Sequence, residues 1–136
     1  MTSTEKMDAL FSQARKAADA AYAPYSNFRV GAALLCDDGS IVTGCNVENR
    51  SFGLTVCAER NAVFTAVGQG KRRFIALAIS TPDSVDCVGP CGACRQVLSE
   101  FMAPDSPVRF AGSGPNQVNT TMGELLPWDS LHDLKA

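Results

Sequence analysis

The sequence predicts a three-layer α/β domain, a sheet flanked by helices, on three observations. Apolar residues recur at helical spacing in three separate stretches. Short apolar runs lie between those stretches, so strands and helices alternate along the chain. One of the runs, Phe74 to Ser80, is apolar almost throughout, as expected of a buried strand.

The first helix is marked by Met7, Leu10, Phe11, Ala14, Ala17, Ala18 and Ala21, with Thr2 and Glu5 spaced as a capping box and Pro24 beyond its expected end. Phe28 to Cys36 and Ser40 to Val47 read as two strands around Asp37-Asp38-Gly39, whose Asp-Gly pair signals a hairpin. A second helix is expected from Cys57, carried by Ala58, Ala62, Val63, Ala66 and Val67, and should stop near Gly68 or Gly70. Phe74 to Ser80 is the next strand. Cys91 to Met102 is a third helix, with Val97, Leu98, Phe101 and Met102 on its apolar side and Pro104 ending it. Val108 to Ala111 and Gln117 to Thr121 are the last strands, joined by the turn Gly112-Ser113-Gly114-Pro115-Asn116. No repeat, linker or low-complexity tract interrupts residues 1–136, which suits one domain that buries roughly two thirds of its unfolded surface.

Composition narrows the function classes. A net charge of −2 argues against a nucleic-acid partner, because affinity for a polyanion is drawn from clustered Lys and Arg. Lys71-Arg72-Arg73 is the sole basic run and fits a solvated helix-to-strand turn. The longest apolar run cannot span a bilayer, so no membrane partner is expected. Met1 to Lys16 lacks an apolar signal core, which predicts a cytoplasmic, reducing setting where the cysteines stay available for metal.

Chemistry concentrates in two phrases, Cys57-Ala58-Glu59-Arg60 and Pro90-Cys91-Gly92-Ala93-Cys94-Arg95-Gln96. They supply three soft thiolates, Cys57, Cys91 and Cys94, and a carboxylate, Glu59, two residues from the first. A structural zinc closes its tetrahedron with four protein ligands, whereas a catalytic one takes three and keeps a position for water beside an acid or base. Glu59 is that acid or base. Three thiolates reduce the ion's charge and weaken its effect on water, so electron density must be drawn from the sulfurs. Arg60, three residues after Cys57, shares its helix face and can donate to sulfur; the positive ends of the two helices supply the rest. Other readings remain open. A lone Cys-x-x-Cys also marks redox pairs, although a redox pair leaves Cys57 and Glu59 unexplained. A structural zinc module would recruit Cys87 as a fourth ligand. Cys36 and Cys45, in strand-like stretches, read as small buried hydrophobes.

These residues resemble the small zinc-dependent cytidine deaminases that act on free pyrimidine nucleosides. The resemblance runs from about Tyr22 to Pro127 in four ordered phrases. They are Tyr22-Ala23-Pro24-Tyr25-Ser26-Asn27-Phe28-Arg29-Val30-Gly31-Ala32-Ala33-Leu34, Asn46-Val47-Glu48-Asn49, the two cysteine phrases, and Glu124-Leu125-Leu126-Pro127. It implies a five-stranded mixed sheet flanked by helices, with the two zinc-bearing helices side by side. It also implies one Zn2+ per chain, hydrolytic deamination of cytidine and deoxycytidine in pyrimidine salvage, and a homotetramer. By resemblance Phe28 packs on the base, Asn46 and Glu48 hold the ribose hydroxyls, and the Ala58 backbone meets the pyrimidine edge. Phe28 is otherwise a core aromatic, and Asn46 and Glu48 ordinary turn residues. A carboxylate at position 48 beside the sugar would repel a phosphate, which favours nucleoside over nucleotide.

A deaminase of a cytosine-nucleoside-like antibiotic would share the zinc site and differ in the pocket. His132, in a polar tail, reads as a surface residue. Relatives ending in Leu-Leu-Pro usually place a Phe three residues later, into a neighbouring subunit's pocket, but here that position is Ser130. Trp128 lies on the same side if the segment is extended, about 6.5 Å away, so it is expected either to replace that aromatic lid or to pack on its own subunit.

Overall fold

The computed structural model describes residues 1–129; Ser130 and His132 lie outside them. Helix α1 (Ser3–Ala18) starts where expected, the Thr2 hydroxyl accepting the Glu5 N–H at 3.1 Å. Strands β1 (Gly31–Cys36) and β2 (Ile41–Cys45) form the hairpin, with Leu35 opposite Ile41 and Gly39 at φ 88° in the turn. That left-handed conformation is why the Asp-Gly signal works.

Both expected strands are shorter at their outer ends. Phe28 to Val30 are tied mostly to side chains, with one backbone bond, the Asn46 N–H donating to the Val30 carbonyl at 3.2 Å. Asn46 Nδ2 donates to the Phe28 carbonyl at 2.8 Å, the Val30 N–H donates to Asn46 Oδ1 at 2.9 Å, and the Arg29 N–H donates to Asp83 Oδ2 at 2.9 Å. The segment leading into β1 is therefore pinned beside the chain that follows β2.

Helix α2 (Ala58–Gly68) is capped by Cys57, and α3 (Gly92–Ser99) by Cys91, both caps extended. Helix α3 ends three residues earlier than its periodicity suggests. The Ser99 hydroxyl donates to the Gln96 carbonyl, and the Glu100 and Phe101 N–H groups donate to Val97 and Leu98, so the last turn tightens to i−3 bonds. The Phe101 carbonyl then accepts the Phe74 N–H at the start of β3 (Phe74–Thr81). Strands β4 (Pro107–Gly112) and β5 (Val118–Thr121) complete the sheet. A short helix α4 (Met122–Leu125) was not expected, although Thr121-Met122-Gly123-Glu124 carries its signature: the Thr121 hydroxyl accepts the Glu124 N–H at 3.2 Å.

The sheet is five-stranded and mixed, in the order β2-β1-β3-β4-β5, with β3 and β4 parallel and the other pairs antiparallel. Helix α1 covers one face through Met7, Leu10 and Ala14 against Ala33, Ala76 and Ala78. Helices α2 and α3 cover the other, Ala62, Val63 and Leu98 packing over Leu34, Leu77 and Ile79. The three-layer expectation holds. Central β3 is buried on both faces, which explains its unbroken apolar run. A Cβ on Gly44 would lie 2.4 Å from the Ala62 backbone nitrogen, so this glycine lets α2 press against β2 and fixes the helix that carries Cys57 and Glu59. No helix among the described residues is long and apolar enough to cross a membrane.

Candidate active site

The N-termini of α2 and α3 meet over the sheet. Cys57 and Cys91 occupy matching cap positions and Cys94 the first turn of α3, so the three sulfurs lie within 4.8 Å of one another. The cluster fits zinc on its own geometry. Zn–S bonds of about 2.3 Å in a tetrahedron place two sulfurs about 3.8 Å apart, and Cys57 Sγ and Cys91 Sγ stand 3.8 Å apart. Cys94 is buried beneath them, whereas Cys91 faces outward. Cys87 lies outside the cluster, its thiol donating to the Asn116 carbonyl at 3.4 Å. Cys36 is buried and Cys45 half-buried, and burial raises both thiols.

Arg60 Nη2 donates to Cys57 Sγ at 3.5 Å, as the spacing of three residues predicts. A hydrogen bond from Cys94, then those from Arg60 and Cys91, bring the Cys57 thiol down to about 5 against the opposing effect of burial. The same Cys57 contact, together with burial, raises Cys94. The centre therefore favours thiolate at Cys57. Glu59 is 4% exposed on the first turn of α2, and burial pushes its carboxyl up to about 7, the Cys57 charge adding to the rise.

A cavity of about 440 Å³ opens above the cluster. Six predicted residues, Phe28, Asn46, Glu48, Cys57, Glu59 and Cys91, line it, although they come from four separate stretches of sequence. Its size suits a small ligand. Ala58 is fully buried between Cys57 and Glu59 as the first residue of α2, where a backbone N–H has no partner within the helix.

Asn46 and Glu48 flank the extended residue Val47, which bridges to Tyr22 and Val56. Asn46 already serves the backbone at both ends of its amide, which leaves one N–H and one lone pair for a ligand. Glu48 Oε1 accepts the Tyr25 and Ser26 N–H groups at 2.9 and 3.1 Å, and its Oε2 accepts the Ser26 hydroxyl. The Ser26 hydroxyl, ahead of burial and the backbone bonds, dominates a net downward shift of the Glu48 carboxyl.

Sequence reasoning did not single out Ser26, Thr55, Thr81, Val88 or Gly89, which also line the cavity. Gly89, before Pro90-Cys91, makes room for the Phe110 ring, which would stand 3.2 Å from a Cβ there, a long-range contact that no local signal announces. Trp128 corrects an expectation. It lies in the turn after α4 rather than on an extended segment, because the chain bends at Leu126 and Pro127. It is 93% exposed, so it does not pack on its own core, and it is not part of this chain's cavity lining.

An α/β domain with three clustered cysteines able to hold one metal ion, a buried carboxylate and a ligand-sized cavity fits the class of zinc-dependent hydrolytic deaminases. Residues 4–109 match the family model described as the cytidine and deoxycytidylate deaminase zinc-binding region. The chain belongs to that family. It is 47% identical over 121 residues to a cytidine deaminase of Sporosarcina psychrophila, covering 89% of this chain and 88% of the relative. The crystal structure of a cytidine deaminase from Burkholderia pseudomallei superposes with a TM-score of 0.85 at 45% identity, covering 94% of this chain and 98% of that one. A blasticidin-S deaminase of Bacillus cereus is more distant, at 37% over 105 residues, 72% of this chain and 74% of the relative.

Proposed function

We propose that this enzyme hydrolyses cytidine and deoxycytidine to uridine and deoxyuridine with release of ammonia. The observation that carries the reading is the single cavity shared by Phe28, Asn46, Glu48, Glu59 and the cysteine cluster. Cys57, Cys91 and Cys94 would hold zinc, which when bound supplies Lewis acidity that makes a water molecule nucleophilic near neutral pH. Glu59 takes a proton from the attacking water as the water oxygen bonds to C4 and passes it to N3; it then moves the proton of the new C4 hydroxyl to the amino group, so that the C4–N bond breaks, C4=O forms and ammonia leaves. Phe28 packs on the pyrimidine, Asn46 and Glu48 hold the sugar hydroxyls, and the Ala58 backbone meets the base edge. Higher identity to cytidine deaminases than to the antibiotic deaminase supports the nucleoside reading.

Glu48 also sets the substrate class. An ionised carboxylate beside the sugar repels a phosphate where water is thinned out, so free nucleosides are favoured. With cytidine, deoxycytidine and cytidine monophosphate supplied separately, ammonia should form from the first two far faster than from the third. Turnover of none of them would sink the proposal.

Arg60 draws electron density from the Cys57 sulfur and so preserves the Lewis acidity of the centre. Arg60→Gln should lower kcat and move the basic rise of the pH profile upward, read from initial rates across pH. An unchanged rate and profile would leave Arg60 as a solvated helix charge.

The assembly proposed is a homotetramer, with Trp128 closing a neighbour's cavity. Its 93% exposure, alongside exposed Phe52 at 75% and Leu54 at 67%, supports burial against another copy of the chain. Trp128→Ala should raise KM for cytidine and leave zinc content intact. A tetrameric variant with unchanged kinetics would refute the lid, and a monomeric wild type would remove its cross-subunit part. All six cysteines are free, which supports a cytoplasmic setting.

A further inference from the structure

We propose that Ser26 is a positioning residue that sets Glu48 and Phe28 together, so one hydroxyl presents both the sugar-holding carboxylate and the base-packing ring. The inference rests on the nucleoside reading of the cavity. The Ser26 hydroxyl has one proton, and it goes to Glu48 Oε2; its oxygen in turn accepts the Phe28 N–H at 3.0 Å. With the Tyr25 and Ser26 N–H groups on Oε1, three of the roughly four acceptor sites of the carboxylate are filled. One is left to take a sugar hydroxyl. A glutamate at the rim of an open cavity would otherwise sample several rotamers, and each binding event would have to order it.

The strap that carries Ser26 is itself held. Tyr22 accepts the Glu48 N–H at 2.8 Å and donates its own N–H to Asn46 at 3.0 Å, and the Asn27 N–H donates to the Ala23 carbonyl at 2.9 Å. Asn27 sits at φ 57°, the left-handed conformation that turns the chain sharply between Ser26 and Phe28. The hydroxyl therefore links two binding groups 20 residues apart in sequence (48 − 28 = 20) through a rigid turn.

The test compares wild type, Ser26→Ala, Ser26→Thr, Glu48→Gln and the double variant Ser26→Ala/Glu48→Gln. The readouts are kcat, KM for cytidine, uridine affinity by titration calorimetry, and zinc content. Ser26→Ala should raise KM and weaken uridine about tenfold, the loss expected for one hydrogen bond to a charged group, with kcat within about twofold and zinc unchanged. Ser26→Thr, which keeps the hydroxyl, should restore both. In the Glu48→Gln background the further effect of Ser26→Ala should shrink, because most of it passes through the carboxylate. An unchanged KM in Ser26→Ala, equal losses in the Ala and Thr variants, or fully additive effects would overturn the inference. A wild type that does not turn over cytidine, or a Glu48→Gln variant with wild-type KM, would overturn the nucleoside reading first, and the inference with it.

Discussion

Glu59→Gln should keep about one zinc per chain and lose catalysis by a factor of about 10² to 10⁴, the range a positioned acid or base supplies. The amide is the same size as the carboxyl, so the nearly sealed position on the first turn of α2 stays filled and the cysteine cluster beside it is undisturbed. What disappears is a group able to accept a proton from water and return it to the ring. Metal analysis alongside initial rates separates the two. Comparable turnover in the variant would end the assignment of Glu59 as general acid and base.

Cys57→Ala, Cys91→Ala and Cys94→Ala should each release zinc and abolish turnover, because two thiolates cannot hold the ion against exchange with solvent as three do. Cys94→Ala should also lower thermal stability, since its side chain is fully buried in the core under α3. Cys87→Ala is the contrast. Its thiol bonds to the Asn116 carbonyl, away from the cluster, so metal content and activity should both survive. Loss of zinc from Cys87→Ala would instead favour a four-ligand structural site.

Much of this was legible because the signals are local. Asp37-Asp38-Gly39 encodes its own turn through the positive φ of Gly39, and the periodic run after Cys57 located the helix that the cysteine caps. The three cysteines and the Glu59 carboxylate were legible for a related reason: each sits at the cap or in the first turn of its helix, although only the fold brings the two helices together. Strand order was not, since β1 pairs with β3 across a long separation, Gly31 facing Ser80, and sequence pattern carries no register between such strands. Helix α4 escaped because four residues are too few to show a period, although Thr121 and Glu124 announced its cap. The role of Ser26 also depends on a distant contact, Glu48, that only the folded turn creates. For Trp128 only the extended segment was wrong; the bend after α4 leaves the indole facing outward.

The central claim is that the three-cysteine centre and the cavity above it perform the deamination. The most direct measurement strips the enzyme with a chelator, removes the chelator, and follows ammonia release from cytidine as zinc is added back. Activity should be absent at the start and rise in proportion to zinc until about one equivalent per chain is bound. Deamination that persists at full rate in the stripped protein, or that stays absent when zinc is bound, would contradict the account.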